Sequence, residues 1–403
     1  DGKDPAQQFN MFVNGEVTST TVNQSLPEVV AKAAELYPDN QYKSMTTATS
    51  YWGAFNWDRQ MYALYNDPSV STTSKTDAQK ADTKAAILNA DFRRAVYAAY
   101  SAHAVEAITL GEEHADGVIR NTLIPYTFQT TSDGRAYGSI VEKYAAELVA
   151  DYEGIDLNDG HDAWYNPELA KTFAERAKEE LGDSVSEWPI HIDVPVYADS
   201  ENQKNMQLAM KKSIEDAIGD YVVIDLQFLE GNSSVYYSSF YNQPTGEDNS
   251  IDLVFGAGWG PDYGDPLTYL HCFDVHDGDM LNYSGINIES QGQSEEQKAV
   301  LETLGLNEVQ EIVDQATAAT GDERIELFAK AEAMLLTNGI LRPYSTSGAN
   351  ITISKVKPFT VAYGLYGQAA YNQVPYFKYM QLLDEPVTAA EYEAAKEAWM
   401  AGK

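Results

Sequence analysis

The sequence predicts an α/β protein of two or more lobes built on a parallel or mixed sheet. Its 403 residues with 44% hydrophobic content exceed what one single-core domain usually holds. IHIDVPVYA (190–198), NQKNMQLAMKKSIEDAIG (202–219) and YVVIDLQFLE (221–230) alternate strand, helix and strand, the spacing of a crossover between parallel strands. Both strand runs are apolar enough to be covered on two faces.

The remaining elements follow in order. From Asp82 to Ile108, apolar residues recur at three- and four-residue spacing around Arg93 and Arg94, which reads as helix. NPELAKTFAERAKEELG (166–182) is a cleaner helix: Asn166 suits the N-cap, Pro167 the first helical position and Gly182 the stop. IDLVFGAGWG (251–260) reads as a further strand running into the loop GWGPDYGDP (258–266). Ligands in open α/β sheets sit beyond the carboxyl ends of strands, so position alone nominates this loop. ERIELFAKAEAMLLTNG (323–339) is helical in period, ILRPYST and NITIS are short strands, and the tail AAEYEAAKEAWMAGK is helical by composition. No repeat, low-complexity block or Gly/Ser linker interrupts the chain, so the sheet strands themselves are expected to join the lobes.

Composition excludes several function classes. A formal charge of -34 without any Lys/Arg cluster repels phosphate backbones and anionic membrane surfaces, so nucleic acid is not an expected partner. No run of eighteen apolar residues is present, and DGKDPAQQFN at the start has neither a basic nor a hydrophobic region. A water-soluble chain is expected, any export signal having been removed. The single cysteine, Cys272, rules out an intramolecular disulfide framework, leaves the compartment open and reads as a small apolar residue.

HCFDVHDGD (271–279) gathers His271, Asp274, His276, Asp277 and Asp279 and could hold a metal, although an acidic surface loop is the commoner meaning of such a stretch. No metal or other cofactor is expected. IDLNDGHD (155–162) places Gly160 too early for a calcium loop. Neither G-x-S-x-G, H-E-x-x-H nor a phosphate loop occurs, and nothing argues for nucleophilic or metal catalysis. The 27 tyrosines concentrate in SSVYYSSFYNQP (233–244) and AYGLYGQAAYNQVPYFKYM (362–380), a mixture that makes adaptable, wet contact surfaces.

In chain order, FVNGEV (12–17), NADFRRAVYAA (89–99), IPY (124–126), YNPELAKTFAERA (165–177), the crossover unit, GWGPDYGDP and ERIELFAKAEAMLL (323–336) resemble the family 5 extracellular solute-binding proteins, the oligopeptide and dipeptide receptors of ABC importers. Two features depart from that pattern. Ser101 and Ala102 stand where the family's helix runs into an Asp-Arg pair, and the chain starts close to the point where the family's first lobe hands over to its second.

The resemblance implies a type II periplasmic-binding-protein fold with one lobe incomplete. Residues 1–45 would be a remnant of the first lobe, 46–349 the second lobe, and 350–403 the return to the first. It implies an extracellular receptor, lipid-anchored or periplasmic and monomeric, that encloses an oligopeptide and delivers it to a membrane permease. Asp262 matches the acceptor for the peptide's terminal ammonium. Gly258 and Gly260 would let a ligand backbone approach, Trp259 and Tyr263 would form walls, and Asp265 reads as a helix-entry cap. A receptor for another ligand such as an oligosaccharide, a carbohydrate-active enzyme, and a surface interaction protein without transport are the competing readings.

Overall fold

The computed structural model describes residues 6–360, 362–363 and 375–402; most of the tyrosine-rich 362–380 stretch therefore lies outside the described residues. Strands Ile190–Tyr197 and Val222–Leu229 pair in parallel, joined by the helix Glu201–Ile218, as the alternation of elements predicts. Ser200 opens that helix, its hydroxyl accepting the Gln203 N–H. Strand Leu253–Trp259 belongs to a second, antiparallel sheet, where Ser50–Phe55 is central and Leu341–Ser345 forms the far edge. The Asp252 N–H donates to the Asp193 carbonyl at 3.1 Å and the Asp193 N–H to the Asp252 carboxylate at 2.7 Å, linking the two sheets. Their facing residues share one large apolar core.

Asn166 caps the helix Pro167–Leu181 through the Leu169 N–H, and Gly182 ends it at φ 46°. The stretch from Asp82 to Ile108 is not one helix but parts of three: Asp77–Leu88, Ala90–Ala99 and Ala102–Leu110. Asn89 and Ser101 cause the breaks, because their side chains accept the Phe92 and Ala104 N–H groups and so start new helices. Arg93 and Arg94 donate to the carbonyls of Thr337, Asn338 and Gly339. They thereby satisfy the C-terminal end of the helix Gly321–Thr337.

A second, smaller apolar cluster unites Phe9, Phe12, Val22, Val29, Ala33 and Ile353. Its antiparallel sheet takes Ser19–Thr21 and Tyr42–Lys43 from one chain end and Ile351–Ser354 from the other. The helix Ala389–Ala401 joins it through the Ala389 N–H, which donates to the Asp39 carbonyl, and through Tyr392, stacked 3.9 Å from Tyr42. The chain passes between the clusters twice, and the two passages touch at the Thr46–Gly348 bridge. Arg120 pins the first passage, donating to the carbonyls of Thr47 and Thr49, and Thr346 on the second donates to Thr49.

Candidate functional site

The 253–259 strand delivers the loop to the point where the chain passes between the clusters. Trp259 lies opposite Ser50 and Gly258 opposite Tyr51, while Tyr51 is also paired with Ser345. The strand is not regular. Trp52 pairs with Ala257 and Gly53 with Phe255, which leaves Gly256 as the unopposed residue of a bulge. A Cβ on Gly256 would have no neighbour closer than 3.9 Å, so its backbone is open. Gly258 is glycine for another reason: a Cβ there would lie 2.5 Å from the Tyr51 ring. Its half-buried backbone leaves room for its own neighbour rather than simply for a ligand, and Gly260 is buried.

Trp259 is half-buried, packs on the main core and meets His271 edge-on at 5.1 Å. Its indole N–H is enclosed without a partner among the described residues. The Asp262 N–H donates to the Thr268 hydroxyl at 2.7 Å, which holds the loop backbone. The Asp262 side chain is exposed, and no cation lies within ion-pair distance of it among the described residues. Tyr263 is 42% exposed; burial of its remainder and the nearby Asp265 and Asp262 carboxylates raise its hydroxyl. Asp265 is structural. Both its oxygens accept from Arg324 at 2.9 Å, and one also accepts the Leu267 N–H as the next helix begins.

The loop thus presents one unneutralised carboxylate on a framework fixed by its neighbours. Such a group can receive a cationic end of a ligand, and the open Gly256 backbone on the strand that leads to it can accept strand-like hydrogen bonding. Beyond these residues, the structure adds a cavity of about 190 Å³ along the same strand, lined by Tyr51, Tyr100, Phe255 and Gly256. Its residues come from elements far apart in the chain; the only signal for it in sequence is the tyrosine-rich stretch 233–244, which contributes Tyr236, Tyr237 and Phe240.

The HCFDVHDGD segment is pulled apart. His276 pairs with Glu289 at 2.7 Å, and Asp274 accepts the His276 N–H. His271, Cys272 and Asp279 remain within 4.8 Å of one another. Cys272 is buried, and that burial pushes its thiol well above the ordinary range, which disfavours a free thiolate ligand. Among the described residues no helix is long and apolar enough to cross a membrane.

Two clusters connected by paired passages, the larger holding a parallel pair of strands beside an antiparallel sheet, define the type II solute-binding fold. Solved structures share it. A Bacillus anthracis oligopeptide ABC transporter substrate-binding domain aligns over 95% of this chain and 57% of its own, with a TM-score of 0.59 at 18% identity. Peptide-bound OppA of Listeria monocytogenes aligns over 94% and 56%, with a TM-score of 0.57 at 16% identity. No family model matches the chain. In sequence, the chain is 31% identical to the oligopeptide-binding protein SarA of Streptococcus gordonii over 99% of its length and 58% of SarA. It is 33% identical to the oligopeptide-binding protein AliB of Streptococcus pneumoniae over 100% of its length and 59% of AliB. Along its whole length the chain is similar to these oligopeptide-binding proteins, and it spans under two thirds of theirs.

Proposed function

We propose that this chain is part of the extracellular substrate-binding component of an ABC importer, which captures oligopeptides and presents them to a membrane permease. Relatives named as oligopeptide-binding proteins, matched along the whole chain, support the ligand class, and with it a binding rather than a catalytic role. In this reading residues 46–349 are one lobe, 1–45 and 350–403 belong to the other, and the receptor acts as a monomer at the cell surface or in the periplasm. The ligand lies along the 256–260 backbone, between Trp259 and Tyr263. Gly256 leaves that backbone open at one end, and Asp262 receives the terminal ammonium.

The observation that carries the site is the Asp262 carboxylate, exposed and without a counter-charge among the described residues, just beyond the end of the 253–259 strand. Peptides of arbitrary sequence share only backbone amides and charged termini, so a general receptor must use those. Calorimetry with one short peptide, free and N-acetylated, tests the assignment in wild type and Asp262→Asn. The free peptide should lose about 2–4 kcal/mol on mutation, the range for breaking an enclosed charge pair. The acetylated peptide should bind wild type poorly and lose much less. Equal losses would make Asp262 a turn residue.

A further inference from the structure

The cavity along the 253–259 strand has a chemical bias. Tyr100 stacks on Phe255 at 3.9 Å, and Tyr344 meets both rings edge-on at 5.8 and 5.7 Å, giving apolar walls with π-faces. Three buried polar atoms of the lining have no hydrogen-bond partner among the described residues: the Tyr100 hydroxyl and the Oε1 atoms of Gln203 and Gln207. Two of the three are amide carbonyl oxygens, which can only accept.

Glu106 follows the lining residue Val105 on the helix Ala102–Leu110, and burial lifts its carboxyl group to about 7. It is 9% exposed, and the Ser345 hydroxyl is the one group that opposes its desolvation. Burial above all, and after it the nearby Tyr344 and Glu106, raise the Tyr100 hydroxyl, while burial and then Glu106 raise that of Tyr344. The nearest arginine, Arg342, lies 5.7 Å from the centre of the Tyr100 ring and is engaged by Asp162. The lining therefore offers acceptors and ring faces, with no cation among the described residues that form it.

We propose that this cavity is a side-chain subsite for a basic residue of the bound peptide, with the lysine ammonium or arginine guanidinium answered by Glu106, Gln203 and Gln207. A long aliphatic stem suits the aromatic walls, and a cation gains from their faces. A cavity of about 190 Å³ is roomy for such a side chain, since one water needs only about 10–15 Å³. An apolar occupant would leave the buried acceptors unmatched, and Glu106 would repel an acidic one. The inference rests on the peptide lying along the 256–260 backbone.

Calorimetry on the whole chain tests it, using alanine-based tetrapeptides that carry lysine, norleucine or glutamate at each position in turn. At one position lysine should bind about 10-fold or more tightly than norleucine, the factor for a charge-assisted hydrogen bond, and glutamate most weakly. Glu106→Gln should erase most of that advantage while leaving the norleucine peptide unchanged, and Gln207→Leu should reduce it independently. Equal affinity of lysine and norleucine peptides at every position overturns the subsite, as does an equal loss for both peptides in both variants. A lysine preference that persists when N-acetylation costs nothing would sink the Asp262 assignment and leave the subsite standing. Sensitivity to acetylation without a lysine preference would do the reverse. No binding by any peptide overturns both.

Discussion

The 253–259 strand is flanked by two aspartates that could hardly differ more in circumstance. Asp252, just before it, is buried between two cations: Arg59 at 2.9 Å and Lys75 in closer contact, with the Asp193 N–H donating at 2.7 Å. Asp193 shares both cations, at 2.7 and 3.2 Å, and accepts from Gln227 at 2.6 Å. Burial alone would raise the Asp252 carboxyl, but Arg59 and Lys75 hold it below the ordinary range. Asp262, just after the strand, is exposed and has no cation in contact among the described residues. Identical side chains at the two ends of one strand differ in what they do, one fastening the two sheets and the other, in the function proposed above, receiving a ligand. The distinction lies in whether the protein supplies the counter-charge itself.

The largest test of that contrast is Asp252→Asn. It leaves two buried cations facing Asp193 alone, and removal of one member of a buried ion pair typically costs about 3–5 kcal/mol. Urea unfolding should register a loss of that size. A loss below about 1 kcal/mol would mean that water or rearrangement neutralises the cluster, and the two ends of the strand would differ less than their geometry says.

Glu332 sharpens the comparison, because it is buried without a cation in contact among the described residues. It accepts the N–H groups of Leu123 and Ile124 at 2.7 and 3.3 Å and the Tyr137 hydroxyl at 2.9 Å. Burial outweighs these bonds and pushes its carboxyl up to about 8. The folded protein therefore keeps a proton that the unfolded chain releases near pH 4.3. Its contribution is fully present below that pH and is lost as pH rises towards 8. Relative to Glu332→Gln, wild-type unfolding free energy should fall between about pH 5 and 8, by at most about 1.4 kcal/mol per pH unit. Parallel curves for the two proteins would show a carboxylate held ionised by its three donors alone.

Local signals made much of the fold legible. The alternation of apolar runs gave the parallel pair and its crossover helix, and Asn166, Pro167 and Gly182 marked both ends of one helix. Periodicity misled between Asp82 and Ile108, since apolar spacing continues through Asn89 and Ser101 while their caps restart the backbone. The glycine-rich loop was visible because its composition is local. Gly258 shows the limit, for only the register with Tyr51 reveals what its missing Cβ makes room for. Arg59, Lys75, Asp193 and Asp252 have no sequence spacing in common; the one hint was a carboxylate within each of two apolar strand runs, HIDVPV and SIDLVF. Val105, Gln203 and Gln207 meet the cavity from two helices, so nothing in either stretch alone marks them.

The smallest expected effect is the most informative about Asp262. Asp262→Asn should change the unfolding free energy by no more than about 0.5 kcal/mol, the usual range for surface substitutions. The physical reason is specific: the bond that anchors this position comes from its backbone N–H to Thr268, which the substitution keeps. Asp265→Asn, in the same loop, is the internal control. It weakens a two-oxygen contact with Arg324 that is only partly exposed, so it should cost about 1 kcal/mol. If the two variants lose equal stability, Asp262 has a partner within the fold and the loop is stapled twice. The loss of peptide affinity in Asp262→Asn would then report a loosened loop. If only Asp265→Asn is destabilised, the same loss of affinity measures the charge at position 262 alone.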